Sequence, residues 1–159
     1  MNRDLLQQFA YRVTQANRTE LVVITYEAIL AEIASAREAL AADDKIGFEK
    51  DLKNAQRFLG EMMGALDYQY PIALELLSIY LYINKSLITA LMKRSAEPLD
   101  GIHEVIEKLL VAYKEVSKQD TSGPVMANTE QVYAGLTYAK GSLNEMYLDQ
   151  NVSKRGFMV

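Results

Sequence analysis

From Pro71 to Met92 the chain would be apolar around almost its whole circumference if wound as a helix. Leu74, Leu77, Leu81, Ile88 and Leu91 follow one helical stripe, with Asn84 at its remaining position. Ala73, Leu76, Tyr80, Ile83, Leu87 and Ala90 follow a second, and Ile72, Ile79 and Tyr82 begin a third. Such a helix has to be buried nearly all round. Glu75, Asn84 and Lys85 interrupt the run, so it falls short of the roughly 18 uncharged apolar residues that mark a membrane span. A bundle normally leaves each of its helices one wet face. This segment therefore calls for cover beyond its bundle neighbours: a chain terminus, a second subunit or a client.

Three further segments carry helical periodicity. The first, over about 19–42, places Val22, Tyr26, Ile29, Ile33, Ala36 and Leu40 on one face. Asn17 is its expected N-cap, and Glu20 completes a capping-box pair. Asp43 and Asp44 form a turn and can cap the next segment, over about 45–67, whose stripe is Phe48, Leu52, Ala55, Leu59, Met62 and Leu66. Gly60 and Gly64 inside it each cost about 1 kcal/mol against alanine, which suggests close approach of a neighbouring backbone. The all-round apolar segment follows, opened by Pro71. The last, from about Pro98 to Lys118, has the single stripe Leu99, Ile102, Ile106, Leu109, Tyr113 and Val116, with Glu104, Glu107, Lys108, Lys114 and Glu115 on a solvated face.

Only three prolines and eight glycines punctuate 159 residues, which favours long helices. Short connections make neighbouring helices antiparallel. The expected fold is all-α: an antiparallel up-down four-helix bundle forming a single domain over 1–159. Its core spans about 17–118. Residues 119–130 read as a linker, and 131–159 as a weakly helical tail in which 131–146 can form a short fifth helix despite Gly135 and Gly141. Near the N-terminus Phe9, Tyr11 and Val13 alternate with polar residues, which predicts an extended strap.

The segment over 19–42 also has an apolar excess, since Leu21, Val22, Val23, Ile24, Tyr26, Ile29 and Leu30 cover more than one face. Core packing is the commoner role of any one such residue. Their sum is larger than a bundle needs, and an apolar groove of that kind is a docking site for an amphipathic helix. Met62 and Met63 suit an adaptable surface and a core equally.

Chemistry is excluded along several lines. With no cysteine there is no disulfide, thiolate zinc site or cysteine nucleophile. His103 is the single histidine, so a bundle di-iron site with two Glu-x-x-His pairs cannot be built. Neither GxxxxGK[ST] nor GxGxxG occurs. No catalytic, cofactor-binding or metal-binding set emerges, and the chain does not read as an enzyme. A net charge of -4 without a Lys/Arg run argues against a nucleic-acid partner. The N-terminus lacks a secretory apolar core and no membrane insertion is expected, so the cytoplasm is the expected location.

Several stretches resemble the flagellin-specific export chaperone family, FliS. Ala16-Asn17-Arg18-Thr19-Glu20-Leu21 followed by Tyr26-Glu27-Ala28 is similar to that family's small-residue cap and Leu-x-x-x-x-Tyr-acid-small pattern. Ile79-Tyr80-Leu81-Tyr82-Ile83, then Leu87 and Ala90, is similar to its Leu-Tyr-x-Tyr-apolar core. Ala112-Tyr113-Lys114-Glu115-Val116 is similar to its Ala-aromatic-Lys-acid-apolar ending. The resemblance covers about Phe9 to Lys118. The chain departs from it with Asn17-Arg18 in place of Ser-Pro, Leu81 in place of Asp, and Gln8 or Phe9 near a frequent tyrosine.

The resemblance implies a cytosolic chaperone that binds the disordered C-terminal segment of flagellin, which folds into helices on it. It implies prevention of premature polymerisation and delivery to an export gate component of the flagellar type III apparatus. The N-terminal strap would cover the binding surface. Candidate client-binding residues are Phe9, Tyr11, Val13, Ile24, Tyr26, Met62, Ile72, Ile79, Tyr80, Tyr82 and Ile83. The competing reading is a non-enzymatic adaptor or structural bundle whose surplus face is a homodimer interface; weak homo-oligomerisation is compatible with either.

Overall fold

The computed structural model describes residues 3–126. Five α-helices account for most of them: α1 (Arg3–Gln15), α2 (Arg18–Ala41), α3 (Lys45–Gly64), α4 (Pro71–Lys93) and α5 (Pro98–Gln119). There is no strand among the described residues. The helix expected over 131–146 lies outside them.

The helix ends follow local chemistry. Asn17 Oδ1 accepts from the Glu20 N–H at 2.8 Å, and Glu20 Oε2 accepts from the Asn17 N–H at 3.0 Å. That closes the capping box and satisfies two donors the helix cannot satisfy internally. Asp44 caps α3 by accepting from the Gly47 N–H at 2.9 Å. Pro71 and Pro98 sit in the first turns of α4 and α5, where a missing N–H costs nothing. α4 stops at Arg94, whose left-handed backbone (φ 50°) lets the next N–H, that of Ser95, fold back to the Ala90 carbonyl at 3.2 Å.

α2 packs against α3 and α5, and α4 packs against the same two helices, so these four enclose one core. Tyr26, Ile29, Ile33, Leu52, Leu59, Tyr80, Ile83, Leu87, Leu99, Ile102 and Ile106 are fully buried in it. Each large aliphatic side chain there contributes about 1.5–3 kcal/mol relative to exposure. Polar pairs cross between helices at defined heights: Ser35 donates to Asp51 and Asn54 to Glu32 between α2 and α3, and Gln56 to Asn84 between α3 and α4. Burial pushes the Glu32 carboxyl upward, and the like charge of Asp51 adds to this.

Two expectations are corrected. The segment carrying Phe9, Tyr11 and Val13 is not an extended strap but helix α1. Leu5, Phe9 and Val13 recur every fourth residue and face α2, whereas Tyr11 points outward and is exposed. The alternation is thus incidental to a helical stripe. Phe9, Ala16, Ile24 and Ala28 form a small second core with Leu21, Val13 and Phe58 at its edge. α1 thereby covers the second apolar face of α2. Gly60 and Gly64 face open space, with nothing within 4 Å of where a Cβ would stand, so no close backbone approach explains them.

Candidate protein-binding surface

α4 directs its Ala73, Leu76, Tyr80, Ile83, Leu87 and Ala90 stripe into the core. The expectation of all-round burial is not met by its other two stripes. Leu74 (61% exposed), Leu81 (53%), Ile88 (41%) and Met92 (81%) form an outer row at spacings of seven, seven and four, with Leu77 and Leu91 half-buried beside it. Ile72 and Tyr82 are exposed on the adjoining side, and Ile79 is half-buried. Among the described residues α4 is the one helix long and apolar enough to cross a membrane, and its core stripe is that of a bundle helix.

Ile72 leads into a groove of about 670 Å³ where the start of α2, the end of α3 and the start of α4 meet. Leu21, Val22, Met62, Leu66, Tyr70, Leu76, Tyr80, Tyr113 and Val125 line it, with Arg18, Glu61 and Asp67 among the polar residues. Beneath it lies a tyrosine cluster. The Tyr26 and Tyr80 hydroxyls are 2.7 Å apart, and the Tyr26 and Tyr113 rings are tilted with centroids 5.6 Å apart. Burial, with the Tyr80 hydrogen bond and charge next, pushes the Tyr26 hydroxyl far above its ordinary range. Burial likewise raises Tyr80 and Tyr113. All three stay neutral at physiological pH and present apolar rings, and the Tyr26 and Tyr80 hydroxyls pair with each other. Such a surface holds apolar side chains.

A second knot ties α1 to the bundle. Glu27 accepts from Arg12 of α1 at 2.5 Å and pairs with Lys114 of α5 at 2.8 Å. Burial pushes its carboxyl upward, but the hydrogen bonds and charges of Lys114 and Arg12 outweigh that and hold it below the usual range.

The sequence-predicted residues therefore fall at different depths. Ile72, Tyr82 and Tyr11 are exposed, and Val13 and Ile79 are half-buried. Tyr26, Tyr80 and Ile83 are core, Met62 and Tyr80 also line the groove, and Phe9 and Ile24 meet in the α1–α2 contact. Phe9, Tyr11 and Val13 thus sit apart from the groove. The α4 outer row itself is absent from the predicted set, although its heptad spacing is visible in the sequence. Tyr113 is another omission: it belongs to the apolar stripe of α5 and lines the groove. Val125 carries no sequence signal, because its position depends on a tertiary hydrogen bond.

No group of three or more metal-ligating side chains occurs among the described residues. His103 Nε2 lies 3.2 Å from Glu107 Oε1 on the solvated face of α5.

A helical bundle with a long exposed apolar row beside a groove floored by neutral tyrosines is of the class of bundles that offer an apolar surface to another chain. Within that class the chain is a member of the FliS family: the family model described as flagellar protein FliS matches residues 1–120. Membership implies a chaperone role in the flagellum, in a family of chaperones rather than enzymes. No individually curated protein matches the chain.

Proposed function

We propose that the protein is a cytosolic export chaperone for flagellin. It binds the disordered C-terminal segment of newly made flagellin, prevents premature polymerisation, and delivers the subunit to a gate component of the flagellar type III apparatus. The observation that carries this reading is the apolar row Leu74, Leu81, Ile88 and Met92, left exposed along the length of α4. Monomeric proteins rarely expose so continuous a strip without a partner for it. Family membership supplies the partner's identity.

The row runs beside Tyr82 and Ile79 towards Ile72 at the groove. Ile72, Ile79 and Tyr82 would touch the client directly. Met62 and Tyr80 form the groove floor, and Tyr26 and Ile83 hold that floor from beneath. Phe9, Val13 and Ile24 set the position of α1, with Tyr11 on its outer side. The underlying fold is read as an antiparallel up-down bundle. Pairings such as Thr19 with Asp120, Tyr26 with Tyr113 and Arg37 with Asp100 support this, since one partner descends as the other rises.

Ordering a disordered client costs conformational entropy, so a large apolar interface is the physical requirement. The test is circular dichroism of a flagellin C-terminal peptide on mixing with the full chain. The account predicts a gain of helicity beyond the sum of the separate spectra. No gain, together with no calorimetric heat at micromolar concentrations, overturns it.

A further inference from the structure

The groove is not empty of the chain's own residues. α5 ends at Gln119, and Asp120 then makes a knot with the start of α2. Thr19 Oγ1 donates to Asp120 Oδ2 at 2.6 Å, and Asn17 Nδ2 donates to the Asp120 carbonyl at 3.3 Å. The Ser122 N–H and hydroxyl both donate to Asp120 Oδ1, at 2.9 and 2.6 Å. The side chain thus turns the backbone sharply after the helix. Pro124 then restricts Gly123 away from helical conformation. The chain passes back over the bundle end, and the Val125 N–H donates to the Ala16 carbonyl at 3.0 Å. Ala16 lies at the break between α1 and α2, where a carbonyl is available. Val125 reaches the groove beside Ile72, Leu76 and Tyr113, yet is itself 50% exposed.

We infer that residues 121–126 form an intramolecular strap along the rim of the groove, with Val125 as part of its wall, and that the strap has to lift before a partner's apolar side chain can fill the groove. The strap is fixed at two points, the Asp120 knot and the Val125 hydrogen bond, and sets the partly covered Val125 side chain against the groove at the second of them. That combination closes the groove weakly and reversibly. The hydrogen bonds from Ser122 and Thr19 hold the Asp120 carboxyl down to about 2, so the knot persists through physiological pH. The strap lies just past the stretch that the family model matches, which ends at residue 120.

Closure itself is tested without any client. In amide exchange on the full chain, the Val125 N–H should exchange at least about tenfold slower than an unstructured amide, and Asp120→Ala should abolish that protection. Unstructured-rate exchange at Val125 in the unmodified chain overturns the inference. Competition rests on the flagellin reading and is tested by titrating a flagellin C-terminal peptide. Tenfold protection means an open fraction of about one tenth, so Val125→Asp and Asp120→Ala should each tighten binding by about tenfold, through removal of the closed fraction. Equal affinity in all three proteins overturns competition. If none of the three binds the peptide, the flagellin reading fails, while closure is still decided by the Val125 exchange rate.

Discussion

Removing one hydroxyl from the Tyr26–Tyr80 pair strands the other. Both side chains are at most 1% exposed, and their hydroxyls are 2.7 Å apart. Tyr26→Phe keeps the ring against Tyr80 and Tyr113 but leaves the Tyr80 hydroxyl without that partner. A lost buried hydrogen bond plus the desolvation of a stranded group costs about 1–3 kcal/mol. Tyr80→Phe should cost a similar amount for the mirror reason. In the double variant no hydroxyl is left stranded, so its cost should be close to that of one single variant. The coupling in a double-mutant cycle should then be about 1 kcal/mol or more. Urea unfolding of the four proteins measures this, provided the slope with denaturant stays constant. A double variant whose loss equals the sum of the two singles refutes the reasoning, because the hydroxyls would then not depend on each other.

Stability should fall at alkaline pH. Burial raises Tyr26 and Tyr80 in the folded state, so above the unfolded value of 10.0 the unfolded chain loses protons first. The folded state then binds more protons and loses stability as pH rises, by up to about 1.4 kcal/mol per pH unit for each group; thermal melts between about pH 8 and 11 read it out. Glu27→Gln weakens the tie between α2 and Arg12 of α1, and should lower global stability by about 1 kcal/mol or less while speeding proteolysis within Arg3–Gln15. Leu81→Asp on the exposed row should leave stability within about 0.5 kcal/mol and abolish client binding. Leu87→Asp, on the buried stripe one and a half turns further on, should prevent folding, as circular dichroism will show.

The helix boundaries were legible because they are set locally. Asn17 with Glu20, Asp44, Pro71 and Pro98 each act within a few residues of where they stand, and each helix end falls beside them. The three stripes of α4 are equally plain in the sequence. Which of them faces inward is not, since all three are apolar and the choice is made by α3 and α5. The N-terminal segment shows the opposite failure: Phe9, Tyr11 and Val13 suggest a two-residue period, but Leu5, Phe9 and Val13 against Ile24 and Ala28 decide for a helix. The groove was the least legible part. It joins Leu21, Leu66, Tyr70 and Tyr113 from three stretches of chain, and Val125 reaches it through the Ala16 carbonyl. Contacts so distant in sequence leave no periodic trace.

The central claim is that the exposed row of α4 receives the client. Methyl NMR on the full chain with a flagellin C-terminal peptide tests it most directly. The account predicts shifts at the methyls of Ile72, Leu74, Leu81, Ile88 and Met92, with Ile46, equally exposed at the start of α3, unchanged. A bound peptide that leaves the α4 methyls unmoved, or that moves Ile46 in their place, contradicts it.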